Sequence, residues 1–448
     1  MTSHFLNELL SSIAQRSRQL VSKEARRGGP RRHPGKLADA LLSGRGEASG
    51  VAIARDLLAG FEMLDPAGKT RFFRELIQRF GPDRERLERA IEAYRRTPTD
   101  AALAELHDAA EPRRQELIRR LNLAPGGTAG LVSMRTEILS RLSEHPELNA
   151  LDHDFNHLLI SWFNRGFLTM TRIDWSTPAV ILEKIIRYEA VHQIRDWDDL
   201  RSRIDPSDRR CYTFFHPALV DEPLIFVEVA LTTDTAEAIE PLLTENRAPI
   251  EPDEATTAVF YSISNCQKGL RGVSFGNFLI KQVVEDLSRD FPNLKTFITL
   301  SPAPGFRQWL KSEVANGSTE LGGAPKRAEL EILDQPDWPA DPKQAQAMKR
   351  ILLPLAAHYF MRAKTASGKP VDSVARFHLG NGARLERINW LGDRSPHGLE
   401  QSAGIMVNYL YRLKDIEHNH EAFVNEGTVT ASKAVTAILN TLPKRVEA

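Results

Sequence analysis

The stretch FITLSPAPGF at 297–306 runs apolar residues and a threonine into a lone serine, then into two prolines and a glycine. Pro302 cannot continue a sheet ladder and disfavours helical geometry at the residue before it. Ser301 is therefore expected at a strand tip, extended, with its side chain fixed in direction. Such a hydroxyl can polarise a carbonyl or orient a carboxylate; the same serine can equally be a turn former. Upstream, residues 257–301 read as one unit: strand, glycine-bearing loop QKGLRGVSFGN, helix, strand, then Ser301. A glycine-rich turn that opens a helix presents unpaired backbone N–H groups at the positive end of the helix dipole, a seat for phosphate or pyrophosphate. Arg271 or Lys268 adds charge there. On pattern alone a structural turn explains the loop as well.

Other motifs fall away. Gly269, Gly272 and Gly276 are spaced G-x-x-G-x-x-x-G, which is not a dinucleotide fingerprint. The GKT at 68–70 has Met63 where a P-loop needs glycine. HDFNH puts His153 and His157 four apart on one helical face, which is metal-ligand spacing. It lacks the glutamate of a zinc-protease helix, and LDHDFNHLLISWF reads as an ordinary amphipathic helix. EHNHE at 417–421 lies in a polar stretch expected to be exposed. No metal site is expected.

The elements that must position Ser301 follow from length and periodicity. A chain of 448 residues exceeds one ordinary core and implies two domains. Its 42% hydrophobic and 26% charged content is that of a soluble globular protein. The 59 basic and 59 acidic residues cancel, so there is no bulk electrostatic case for nucleic acid or membrane binding. The basic run KEARRGGPRRHPGK at 23–36 reads as a solvated connector. Cys211 and Cys266, the only cysteines, exclude a disulfide framework. No apolar run approaches membrane-spanning length. The N-terminal MTSHFLNELLSSIAQRSRQL is amphipathic and somewhat basic but carries Glu8 and no secretory h-region, and KRVEA is no peroxisomal address; the cytoplasm is the expected compartment, with a mitochondrial presequence as the alternative.

Residues 1–165 carry apolar positions at helical spacing, broken by GPD, TPTD and APGGT, and predict an all-α bundle. Residues 166–448 predict a mixed α+β domain. PLIFVEVALT (223–232), TAVFYSIS (257–264) and LKTFITL (294–300) read as strands. IMVNYLYRL (405–413) alternates Ile405, Val407, Tyr409, Tyr411 and Leu413 on one face. A helix over 176–191 is expected with Ser176 and Thr177 as caps and Pro178 in its first turn. Another is expected over 276–291, with Leu279, Ile280, Val283, Val284 and Leu287 as its buried stripe. Ser262, Ser264, Asn381, Asn389, Tyr409 and Tyr411 are candidates for polar contacts, with Ser262 and Tyr411 the choice as pocket residues.

The glycine loop resembles the acyl-CoA loop of GNAT-type acetyltransferases, in which Arg271 and Gly276 fit and Ser274 stands at the middle glycine position. Longer strings carry a more specific resemblance. RRCYTFFHP, EPLIFVEVALT, AVFYSISNCQKGLRGVSFGNFLIK, FPNLKTFITLSPAPGFRQWL and ARFHLGNGARLERINWLGDRSPHGLEQSAGIMVNYLYRL resemble malonyl-CoA decarboxylases over most of 166–448. The resemblance implies a GNAT-like catalytic domain behind a helical N-terminal domain. It also implies conversion of malonyl-CoA to acetyl-CoA and carbon dioxide without cofactor or metal, and a homotetramer assembled as a dimer of dimers. It places the catalytic serine on Ser301 and the catalytic histidine on His378. The CoA-binding loop falls on Arg271, Gly272, Val273, Ser274, Phe275, Gly276 and Asn277. His378 is then the expected proton donor to the carbanion, since a histidine titrates near neutral pH. The alternatives are GNAT-type acyl transfer from CoA to an amine, and a non-catalytic acyl-CoA sensor. The helical domain is expected to supply subunit contacts.

Overall fold

The computed structural model describes residues 33–43, 47–163, 165–244, 247–273, 279–317, 327–335 and 337–442. The N-terminal amphipathic stretch, most of the basic run at 23–36 and the C-terminal KRVEA lie outside the described residues. So do Ser274, Phe275, Gly276 and Asn277 of the expected CoA loop. The described residues pack as two compact units. One takes in the chain up to Leu168 together with His216–Glu222 and the described part of Gln267–Phe275. The other takes in Thr169–Phe215, Pro223–Cys266 and the chain after the loop.

The first unit is helical: α1 (Pro34–Leu42), α2 (Glu47–Glu62), α3 (Pro66–Arg79), α4 (Arg84–Arg96), α5 (Asp100–Ala110), α6 (Arg113–Asn122), α7 (Gly127–Leu139) and α8 (Asn149–Trp162). Asp65, Asp83 and Thr99 accept backbone amides at the starts of α3, α4 and α5, so these helices begin where polar caps satisfy their free N–H groups. Phe61 meets Phe72 and Phe73 at ring-centroid distances of 5.6 and 5.3 Å in the bundle core. Buried charge is paired: Asp154 accepts from Arg114 and, at 2.7 Å, from Gln115 Nε2. His153 and His157 project from the exposed face of α8, and among the described residues no group of three His, Cys, Asp or Glu could hold a metal ion.

The second unit is built on a sheet of β1 (Thr169–Ile173), β2 (Arg209–Phe215), β3 (Ile225–Thr232), β4 (Thr257–Asn265), β5 (Thr296–Thr299), β6 (Ser301–Pro302), β7 (Arg384–Asn389) and β8 (Met406–Tyr411). The order is β1-β2-β3-β4-β5-β8-β6, with β7 also on β8. All pairs are antiparallel except β4 and β5. Parallel neighbours need a crossover, which α11 (Leu279–Asp290) supplies, burying Leu279, Ile280, Val283, Val284 and Leu287 as the spacing predicts. A helical unit followed by a mixed-sheet domain is the architecture read from the sequence. Ala230, Val259, Tyr261, Ile298, Leu300 and Met406 form core on one side of the central strands. Among the described residues no helix is long and apolar enough to cross a membrane.

Three local expectations change. The helix after Pro178 is α9 (Ala179–Tyr188), and it has no side-chain cap. Ser176 Oγ instead donates to Asp174 Oδ1 at 2.6 Å and Thr177 Oγ1 accepts the Asp174 amide at 3.1 Å, so both hydroxyls serve the turn before the helix. Strand β8 ends at Tyr411, and Leu413 lies past it, 42% exposed. EHNHE belongs to a helix, Ile416–Glu426, that buries Asn419.

Candidate active site

Strand β5 pairs with β4 only as far as Phe260↔Thr299. Ser301 then leaves β4 and pairs with Val407 of β8, with Pro302 opposite Met406. The prolyl ring at that edge does what its chemistry dictates: it ends the ladder one residue after the serine. Ala303–Gly305 turns the chain into α12 (Phe306–Ala315). Gly305 is glycine because an added Cβ would stand 2.8 Å from the Tyr359 hydroxyl. Tyr359, on α13 (Pro342–Met361), uses that hydroxyl to donate to Asp372 Oδ2 at 3.0 Å. Asp372 caps α14 (Ser373–Gly380) by accepting the Ala375 amide at 2.7 Å. His378 sits in the last turn of α14. The SPAPG turn and the histidine helix are thus held by one continuous set of contacts.

Ser301 and His378 meet. Ser301 Oγ lies 3.1 Å from His378 Nε2 and donates to Thr299 Oγ1 at 2.9 Å. A hydroxyl carries one proton, so this network assigns the Nε2 hydrogen to the His378–Ser301 contact and leaves Nδ1 as acceptor. Tyr411 OH stands 2.8 Å from Nδ1 and supplies the donor. Thr299 Oγ1 also accepts the Tyr409 amide at 3.1 Å. Tyr409 stacks on the imidazole, with ring centroids 4.6 Å apart and planes 21° apart. The chain Tyr411–His378–Ser301–Thr299 is buried throughout.

Burial pushes the His378 imidazole down to about 3. The sequence expectation of a histidine titrating near neutral pH does not hold in this buried arrangement: Nδ1 faces a phenol, not a carboxylate, and nothing offsets desolvation. The Tyr409 and Tyr411 phenols are pushed well up for the same reason. The site is an uncharged hydrogen-bonded line.

The turn HLGNG after His378 is braced from outside. His420 Nδ1 donates to the Gly380 carbonyl at 2.7 Å and Asn419 Nδ2 to that of Gly382 at 3.1 Å. Gly382 has φ +78, and a Cβ there would lie 2.1 Å from the Ile416 carbonyl oxygen. Asn381 Nδ2 donates to the Phe377 carbonyl at 2.8 Å. Asn389 Nδ2 donates to Asn408 Oδ1 at 2.8 Å, and Asn408 Nδ2 in turn holds the Thr299 carbonyl at 2.7 Å. Asn381 and Asn389 are therefore scaffold to the site.

Ser262 goes elsewhere. Ser262 pairs with Glu228 while Phe260 pairs with Val229, so β4 carries one extra residue opposite β3. Glu228 and Val229 face opposite sides, hence so do Ser262 and Phe260. Phe260 shares its face with Thr299 and thereby with Ser301; Ser262 points to the other side of the sheet. There its hydroxyl meets Glu189 Oε1 and Oε2 at 2.9 and 2.8 Å, and Ser264 Oγ reaches Oε2 at 3.2 Å. Glu228 is fully buried beside this carboxylate, and burial with the Glu189 charge pushes it up to about 8. Arg203 of α10 (Trp197–Ile204) offers it only a 3.5 Å contact, being engaged by Asp199 at 3.0 Å and the His192 carbonyl at 2.7 Å. A cavity of about 960 Å³ opens on this side, lined by Glu189, His192, Asp393 and His397 among others.

Of the loop residues, Arg271, Gly272 and Val273 belong with the helical unit. Arg271 and Gly272 are exposed and Val273 is buried.

The family model described as the malonyl-CoA decarboxylase C-terminal domain matches residues 166–448, and that of the N-terminal domain matches 80–163. The chain belongs to the malonyl-CoA decarboxylase family. The mitochondrial malonyl-CoA decarboxylase of Anser anser anser is 35% identical over 397 residues, covering 82% of this chain and 78% of its own. The solved malonyl-CoA decarboxylase of Rhodopseudomonas palustris is 60% identical with a TM-score of 0.89, over 92% of this chain and all (100%) of its own. That of Agrobacterium vitis is 57% identical with a TM-score of 0.84, over 91% and 99%.

Thr299 and Asn408 are the site residues that sequence reading missed. The T-x-S spacing in FITLS was the available signal for Thr299, since alternate strand residues share a face. Asn408 had none.

Proposed function

We propose that this chain decarboxylates malonyl-CoA to acetyl-CoA and carbon dioxide without a prosthetic group, with Ser301 and His378 as its catalytic residues. The observation that carries the reading is the buried Tyr411–His378–Ser301–Thr299 line. Breaking the bond between C2 and the carboxyl carbon releases carbon dioxide, and the electron pair moves onto the thioester oxygen as an enolate. The thioester is itself the electron sink. A fixed donor aimed at such an oxygen lowers the barrier by about 3–4 kcal/mol in comparable sites. Ser301 Oγ–H and His378 Nε2–H are the donors at hand. A malonyl carboxylate or enolate brought beside the neutral ring raises its proton affinity, so His378 can take up a proton from water and deliver one to C2, the enolate electron pair forming the new C–H bond. Arg271, Gly272, Val273, Ser274, Phe275, Gly276 and Asn277 are proposed to hold the CoA pyrophosphate. A place in fatty acid metabolism is part of the same proposal.

Turnover of carboxyl-labelled malonyl-CoA in the presence of EDTA, with release of labelled carbon dioxide and acetyl-CoA, is the test. CoA-ester binding without turnover, or acylation of an added amine, overturns the proposal. Because His378 is neutral in the free protein down to about 3, kcat/KM is expected to show no His378 inflection between roughly pH 5 and 8; an inflection near 6.5 lost in His378→Gln would contradict this.

The homotetramer, a dimer of dimers, is part of the proposal. Its support is the exposed apolar side chains of the helical unit: Met63, Leu103, Leu123 and Ile160. Light scattering on the full chain tests it, a monomer or dimer mass being the contrary result. Residence in the cytoplasm accords with Cys211 and Cys266 being buried free thiols, and cell fractionation checks it.

A further inference from the structure

The described start of the connection between β4 and α11, residues 267–273, packs as part of the helical unit. Lys268–Leu270 makes a single 3-10 turn against α7. Arg135 of α7 is 3% exposed; its Nη1 donates to the Gly269 carbonyl at 3.0 Å and its Nε to Asp152 Oδ1 at 2.8 Å. The approach is backbone to backbone: a Cβ on Gly269 would lie 2.0 Å from the Val132 carbonyl oxygen and 2.8 Å from Thr136 Oγ1. Gly269 is therefore glycine for the sake of the helix, not to admit a phosphate, which is how its motif first reads. Gln267 Nε2 adds a contact to Glu222 Oε2 at 3.4 Å. With Gly269, Leu270 and Val273 buried, the edge left in solvent is Lys268, Arg271 and Gly272, the last at φ +84.

One side of the loop is thus fixed by helix α7 and the other side presents two cations and a left-handed glycine. We propose that Arg135 is a positioning residue for CoA binding: it sets the loop so that Lys268 and Arg271 meet the pyrophosphate, and the helical unit serves substrate affinity as well as assembly. This rests on the reading of the loop given under the proposed function. A guanidinium bonded to a buried carbonyl is the group expected to do this, because charge-assisted hydrogen bonds are the stronger ones and the carbonyl has no other partner supplied by the helix.

The test compares malonyl-CoA with malonyl-pantetheine, which lacks the pyrophosphate, in the full chain. Arg135→Met is expected to raise KM for malonyl-CoA about tenfold or more, with kcat changed less than about twofold and the malonyl-pantetheine parameters unmoved. Gly269→Ala, which pushes the loop off α7 while leaving the helix sequence intact, is expected to do the same and keeps the test available should Arg135→Met fold poorly. An equal KM rise for both substrates, or an unchanged KM in folded variants, overturns the proposal. A parent protein that does not prefer malonyl-CoA to malonyl-pantetheine removes the loop's pyrophosphate role and the proposal with it; a parent without turnover is instead a failure of the proposed activity.

Discussion

On one face of the sheet, Tyr411, His378, Ser301 and Thr299 form a hydrogen-bonded line with no formal charge. On the other, Glu189 gathers the Ser262 and Ser264 hydroxyls while Glu228 lies buried beside it, 3.5 Å from Arg203 Nη1. The first cluster is buried throughout and the second borders the cavity that Glu189 lines, yet only the first can accept a substrate carboxylate without placing it next to a buried like charge. An anion carried toward the second would meet Glu189 and, above about pH 8, an ionised Glu228 as well. A buried neutral network suits the anionic substrate proposed above, whereas the chemically richer cluster on the other face does not.

The comparison breaks most easily at the serines. Ser301→Ala and His378→Ala should each lower kcat by about 10²–10³ with the fold intact by circular dichroism, while Ser262→Ala stays within about threefold of the parent. Equal losses in folded Ser301→Ala and Ser262→Ala would remove the distinction between the faces. Tyr411→Phe sharpens it further: Nδ1 loses its donor, and kcat/KM should fall about tenfold, the scale of one hydrogen bond to a reacting ring. If Tyr411→Phe matches the parent, the phenol is only packing. On the other face the effect should be on stability. Ser262→Ala takes a donor from the Glu189 carboxylate and is expected to cost about 1–3 kcal/mol in urea unfolding, with an unchanged midpoint as the contrary result.

The remaining effect is a slope. The folded-state pKa of Glu228 is raised to about 8 from 4.5 by burial and Glu189, so between those values the native state keeps a proton that the unfolded chain has released. Stability from this group is fully present below pH 4.5 and is lost as pH rises toward 8. Glu228→Gln should flatten that decline, measured as thermal midpoints from pH 5 to 8. His378 acts in the opposite sense: its depressed pKa leaves the unfolded chain binding the extra proton below about 6.5, so its contribution is lost as pH falls toward about 3. A Glu228→Gln variant with the parent's slope would show that Glu228 is ionised and paired with Arg203.

Much of the site was legible because its signals are local. Pro302 limits how far a ladder can run past Ser301, and Tyr409 and Tyr411 two apart in a strand had to share a face. Ser262 was misjudged because an inserted residue in β4 reverses its facing, and a bulge has no reliable signature in a run of good strand formers. Ser176 and Thr177 looked like caps since the cap rule counts residue types before a helix; Asp174 competed for both hydroxyls. His378 was read as a titrating group because residue type sets the ordinary pKa, whereas the absence of a facing carboxylate is a matter of packing.

Periodicity, prolines and glycines thus determined by themselves the helical first part, the mixed-sheet second part and a serine held at a strand tip, since each depends on interactions within a few residues. The pairing of Ser301 with a histidine 77 positions away, the parting of Ser262 from it, and the clamping of the glycine loop by Arg135 were decided only by tertiary structure. Those depend on which surfaces bury each other and on the desolvation that follows, and neither is encoded in any short stretch of the chain.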